Sequence, residues 1–123
     1  MATHEIARER WAEFFEVFST KRQGTEVEVD AVSPTAGVRP ETKWLPFVGI
    51  EYEEKGSEAG DILILTGTEL GDHLTHAVTA PKQVYHKSAA GILSDEVTED
   101  EIIEITSAND PPVTYLRFRH AKT

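Results

Sequence analysis

Apolar residues recur along this chain with two different periods. Within residues 7–19, Trp11, Phe14, Phe15 and Phe18 fall at i, i+3, i+4 and i+7, which is one stripe of a helix. Glu9, Glu13 and Glu16 take other positions around the cylinder. Thr3 is a candidate cap for an early helix start, and Gly24 is placed to stop the helix. Lys21 and Arg22 suit the negative C-terminal end of its dipole. The stripe is expected to lie on a sheet, because an apolar helix face must find a core.

After Gly24 the period becomes two. Val27, Val29 and Ala31 alternate with Glu26, Glu28 and Asp30, a strand with one wet face. Residues 33–40, with Pro34, Gly37 and Pro40, read as a loop. Residues 43–53 read as a strand in which Pro46 demotes the first half to an edge and Gly49 marks a bulge. Ile62, Leu63, Ile64 and Leu65 in succession predict a strand buried on both faces. Residues 74–79 and 83–87 are two short strands, or one interrupted at Pro81. Residues 89–100 form an acidic connection, and Ile102, Ile103 and Ile105 mark another strand. Asn109, Asp110, Pro111 and Pro112 make a turn before a last strand, where Leu116 and Phe118 share one face and Tyr115, Arg117 and Arg119 the other.

Short strands joined by turns, with no second helical pattern, predict an α+β fold. One N-terminal helix packs on a five- or six-stranded antiparallel sheet or partly closed barrel. The expected core is Trp11, Phe14, Phe18, Ile62, Ile64, Ile103, Ile105, Leu116 and Phe118. The chain reads as a single domain, 1–123, with the helix at about 7–19 and the β body at about 25–120.

Composition narrows the function classes. The 123 residues include 22 Asp and Glu against 12 Lys and Arg, for a formal charge of −10. Such a surface repels phosphate backbones and anionic lipid, so neither nucleic acid nor membrane is expected as a partner. No apolar run approaches the ~20 residues that cross a bilayer. The first residues lack the basic and apolar regions of a secretory signal, and a cytoplasmic protein is expected. Cysteine is absent, which excludes disulfides, thiolate catalysis and cysteine metal sites.

The most chemical segment is Gly71-Asp72-His73-Leu74-Thr75-His76. Imidazole and carboxylate are common metal ligands, so Asp72, His73 and His76 are the candidate polar site, with His86 a conceivable third imidazole. On a regular strand, however, positions three apart point to opposite faces. The expectation is therefore a locally hydrogen-bonded turn with no metal and no cofactor. No Gly-x-Ser-x-Gly elbow, Walker loop, dinucleotide loop or EF-hand is present, and no catalytic residue can be assigned. Tyr115, Arg117 and Arg119, with His120 and Lys122 beyond them, form a basic strip suited to an anion or a partner's acidic loop. The simpler reading pairs these arginines with acids across the strands, for instance Glu104.

His4-Glu5-Ile6, Trp11, Phe14-Phe15, Phe18-Ser19, Gly24 and residues 27–29 resemble the opening of a family of uncharacterised small bacterial proteins, known only as a domain of unknown function. The likeness continues through Leu45-Pro46, Gly49-Ile50, residues 72–76, Pro81 and Leu116-Arg117-Phe118-Arg119. Two departures are Ala7, where the family has proline, and a long acidic stretch at 89–100. The resemblance implies a stand-alone, soluble bacterial protein of one compact domain, and it brings no activity or cofactor. The favoured reading is a non-enzymatic interaction or accessory protein whose sheet edges serve a homo-oligomer or a protein partner. The alternative is a small metal-dependent or hydrolytic enzyme built on Asp72, His73 and His76.

Overall fold

The computed structural model describes residues 2–35, 37–54, 60–67, 73–88 and 101–119. The chain opens with strand β1 (Ala2–Ile6), turns through one 3-10 turn at Arg8–Arg10, and enters helix α1 (Trp11–Arg22). Thr3 therefore pairs within a sheet and caps nothing. The N-cap position belongs to Arg10, whose side chain makes no capping bond. Tertiary contacts hold the helix start instead. Trp11 Nε1 donates to the Ile6 carbonyl at 2.8 Å. Arg8 lies 4.3 Å above the Trp11 ring and donates to the Pro81 carbonyl at 2.8 Å. At the other end, Gly24 takes φ +88°, a left-handed conformation that glycine adopts without a Cβ clash.

Seven further strands follow: β2 (Glu26–Ser33), β3 (Gly37–Tyr52), β4 (Ile62–Thr66), β5 (Leu74–Val78), β6 (Pro81–Ser88), β7 (Glu101–Ser107) and β8 (Val113–Arg119). They form one antiparallel sheet in the order β1-β6-β7-β8-β2-β3-β4-β5. The fold is α+β as expected, but the sheet has eight strands among the described residues rather than five or six, and the described strands leave it open between β1 and β5. Residues 2–6 show no clean alternation and are extended because β6 offers a free edge to pair with, from Ala2↔Ser88 to Ile6↔Val84. The Pro- and Gly-rich segment from Gly37 is likewise drawn into a strand by β2, through Ser33↔Gly37 and Ala31↔Arg39. Pro81 separates β5 from β6, which do not pair with each other.

β3 changes partner midway. It pairs with β2 up to Leu45 and Pro46, then with β4 from Phe47 onward. Trp44 sits at the change with φ +51°, and the Arg119 guanidinium lies 4.0 Å over its ring. The register slips between Phe47 and Gly49, the bulge that glycine foretells. A Cβ on Gly49 would stand 3.5 Å from Ser19 Oγ, so α1 approaches this strand closely. Ser19 Oγ accepts from the Ile50 amide at 2.9 Å and donates to the Ile50 carbonyl at 3.1 Å.

The core lies between α1 and the inner face of the sheet, and all nine expected core residues are buried in it. Phe18 is its hub. Its ring lies 5.7 Å from Phe14, 6.1 Å from Phe47 and 5.1 Å from Phe118, separations typical of favourable aromatic pairs. Among the described residues, no helix is long and apolar enough to cross a membrane.

Candidate functional site

Three polar side chains sit inside this core with none of their surface exposed: Arg22, His86 and Glu101. Arg22 ends α1 four residues after Phe18, so it continues the apolar stripe inward. Glu101 opens β7 in phase with Ile103 and Ile105, and His86 is in phase with Val84 on β6. Arg22 Nε donates to Glu101 Oε1 at 2.7 Å, and Arg22 Nη2 to Oε2 at 3.1 Å. This two-point fork suits a planar guanidinium and a carboxylate. His86 Nε2 lies 3.0 Å from the same Oε2.

Burial by itself would raise the Glu101 pKa. Hydrogen bonds from His86 and Arg22, together with their charge, outweigh it and hold the carboxyl below its ordinary value. The ionised carboxylate only accepts, so Nε2 is the nitrogen of His86 that carries a proton. His86 Nδ1 is buried with no hydrogen-bond partner among the described residues. A carboxylate-oriented imidazole is the arrangement of a general base. Here, however, the rings of Phe14 and Phe18 stand 5.9 Å away on the helix side and the imidazole is sealed from solvent. The cluster ties the C-terminal end of α1 to β6 and β7.

The opposite face of the sheet carries the predicted basic strip. Arg117 Nε lies 3.3 Å from Asp30 Oδ2 while half of its side chain stays exposed. Arg119 Nε donates to Glu26 Oε1 at 2.7 Å. The arginines thus find acids across the strands, but on β2 rather than at Glu104. The register explains the difference, because Glu104 stands opposite Tyr115, with Arg119 beside Glu26 and Arg117 beside Glu28. Glu104 instead accepts from Lys87 Nζ at 3.1 Å, and that ammonium lies 5.8 Å from the Tyr115 ring. Tyr85, Ile102, Val113 and Tyr115 are partly exposed among these charges.

Of the candidate polar site, His73 is exposed just before β5 and His76 is partly buried within it. Asp72 lies outside the described residues, as do His120, Lys122 and the acidic stretch 89–100. His76 lines a small cavity with Val78, Ser107 and Asp110, whereas His86 is enclosed with Glu101 under α1, so these two imidazoles do not share a pocket. Among the described residues, no three His, Asp or Glu side chains are grouped to hold a metal ion. Two surface grooves of about 440 Å³ flank the helix, one walled by Glu16, Gly49 and Glu53 and the other by His4, Glu13 and Phe14.

Residues 2–121 match the model of a family of unknown function, DUF5335. The chain belongs to this family. An uncharacterized protein of Aquifex aeolicus (strain VF5) is 29% identical over 102 residues, covering 82% of this chain and 86% of that protein. No solved structure matches. Family membership agrees with the resemblance read from the sequence, and like it assigns no activity.

Sequence reasoning passed over the Arg22–Glu101–His86 cluster. By position along the chain Arg22 suits the helix dipole, and Glu101 simply follows the acidic stretch 89–100. The signal was their phase: each of the three polar residues falls on the apolar face of its own element.

Proposed function

We propose that this DUF5335 chain is a non-enzymatic interaction protein that works through the uncovered face of its sheet. The observation that carries the reading is how polar chemistry is divided between the two faces. The helix-side cluster of Arg22, His86 and Glu101 is closed to any substrate. The outer face presents Tyr85, Ile102, Val113 and Tyr115 between Lys87 and Arg117. Aromatic residues and arginine are enriched at protein interfaces, and buried anchors of these types dominate binding energy. Arg117, half exposed even while paired with Asp30, is the side chain best placed to meet an acidic loop of a partner.

The test is affinity capture from the native host with the parent chain, Arg117→Glu and Tyr115→Ala, each first shown to melt as the parent does. A protein partner retained by the parent and released by both variants supports the reading. A partner retained equally by all three overturns the face assignment. Substrate turnover by the purified chain, lost on His76→Ala, overturns the reading as a whole.

A further inference from the structure

Among the described residues, the second half of β3 has a strand on one side alone. Phe47 still bonds the chain just ahead of β2. Its amide donates to the Thr25 carbonyl at 2.7 Å, and its carbonyl accepts from the Gly24 amide at 3.1 Å. Beyond it the described partner is β4, from Gly49↔Leu65 to Tyr52↔Ile62. Backbone groups of successive residues point to alternate sides of a strand. Glu53 bonds Asp61 and Gly60 on the β4 side. Ile50 points the other way, where Ser19 Oγ meets both its amide and its carbonyl. Tyr52, two residues on, therefore turns its amide and carbonyl to the same side as Ile50. A groove of about 440 Å³ lies there, between α1 and this half of β3. Glu16 of α1 lines it together with Glu51 and Glu53, and no Lys, Arg or His stands among its described walls. Within the described residues, none of these three carboxylates forms an ion pair. The groove beside β1 differs, because Arg10 and His4 stand among its acids.

We propose that the groove between α1 and β3 receives an extended, basic segment of another protein. This site is separate from the outer face of the sheet and goes beyond the reading of that face. Three observations select the occupant. The amide and carbonyl of Tyr52 offer a donor and an acceptor on one side of an extended strand, and another extended chain matches that pair in direction and spacing. The unpaired carboxylates repel an acidic segment and attract Lys or Arg, an attraction reinforced by the charge of −10 on the whole chain. Those carboxylates also stand apart, since the described residues hold no group of three acids or imidazoles fit for a metal ion. Cations spaced along a peptide suit such a row better than one small ion does. Ser19 sets where the segment lies. It already satisfies Ile50, so the added chain bonds beside Tyr52 and its basic side chains reach Glu16, Glu51 and Glu53.

Fluorescence anisotropy of a labelled peptide of alternating lysine and valine, titrated with the full chain at low salt, tests this. Hydrogen exchange of the Tyr52 amide is read alongside. The peptide is expected to bind, to weaken as salt is raised, and to slow exchange at Tyr52. Glu16→Gln and Glu51→Gln, both at exposed positions, should each weaken binding roughly two- to fivefold, as loss of a surface ion pair does. A peptide of alternating glutamate and valine should not bind. Tyr115→Ala, on the outer face, should leave binding of the lysine peptide unchanged, so failure here and failure of the outer-face reading are distinguishable. No binding of the lysine peptide, or binding that both Gln variants leave unchanged, overturns the proposal. Binding that leaves exchange at Tyr52 unaltered overturns it as well, because charge alone would then hold the peptide.

Discussion

Replacing Glu101 by Gln keeps the shape of the side chain and removes its charge. Arg22 would then hold a full positive charge with no exposed surface, having lost its 2.7 Å partner carboxylate. Removing one member of a buried ion pair costs about 3–5 kcal/mol, because the remaining buried charge loses the partner that offsets its desolvation. At about 0.05–0.15 kcal/mol per residue, a chain of 123 residues has roughly 6–18 kcal/mol of stability in total, so the loss is a large fraction of it. The glutamine carbonyl can still accept one guanidinium bond, which places the expected loss near 3 kcal/mol. With a urea m-value of about 2 kcal/mol/M, the unfolding midpoint should drop by about 1.5 M at unchanged m. Adding Arg22→Met removes the other member of the pair, so the double variant should lose less than the two single variants together, by about 0.5–3 kcal/mol. A Gln variant whose midpoint moves by less than about 0.5 M, or strictly additive losses, would refute the claim that the pair is sealed and mutually dependent.

The same carboxyl gives a pH dependence. Its folded pKa lies below the unfolded value, so its contribution is fully present above the ordinary carboxylate pKa of ~4.3 and is lost as pH falls through the lower folded value. Urea midpoints measured from neutral pH into acid should fall less steeply in Glu101→Gln than in the parent, and parallel curves would contradict this. Phe18→Ala removes the ring at the centre of the aromatic cluster and should cost about 3–5 kcal/mol in calorimetry or urea unfolding; a loss below about 1 kcal/mol would show that the hub collapses without consequence. Zinc, nickel or manganese should leave the melting temperature of the parent unchanged. A metal-dependent rise that His76→Ala abolishes would instead reinstate the 72–76 segment as a metal site.

Much of the helix and several strands follow from periodicity alone. The spacing of Trp11, Phe14, Phe15 and Phe18 admits one buried face, and a single face can be satisfied by any sheet with apolar residues in phase, as Val27 with Val29 and Leu116 with Phe118 provide. Gly24 announces a helix stop because it takes a left-handed φ that other residues adopt poorly, and Gly49 announces the bulge at which β3 slips its register against β4. These are local facts, carried by neighbours along the chain. The acidic charge and the missing cysteine are equally intrinsic.

Pairing across the sheet was decided elsewhere. Whether residues 2–6 are extended depends on the open edge of β6, more than seventy positions away in sequence, and no local preference encodes it. Arg117 and Arg119 turn to Asp30 and Glu26 because β8 lies between β7 and β2, an order that the chain sequence does not contain. His73, His76 and His86 look equivalent as letters, yet one is exposed before β5, one borders a small cavity and one is enclosed with Glu101. The ion cluster shows both levels at once. Phase already places Arg22, His86 and Glu101 on inward faces, but only the packing of α1 over β6 and β7 brings their atoms within 3.1 Å, where opposite charges offset the desolvation that would otherwise forbid each of them alone.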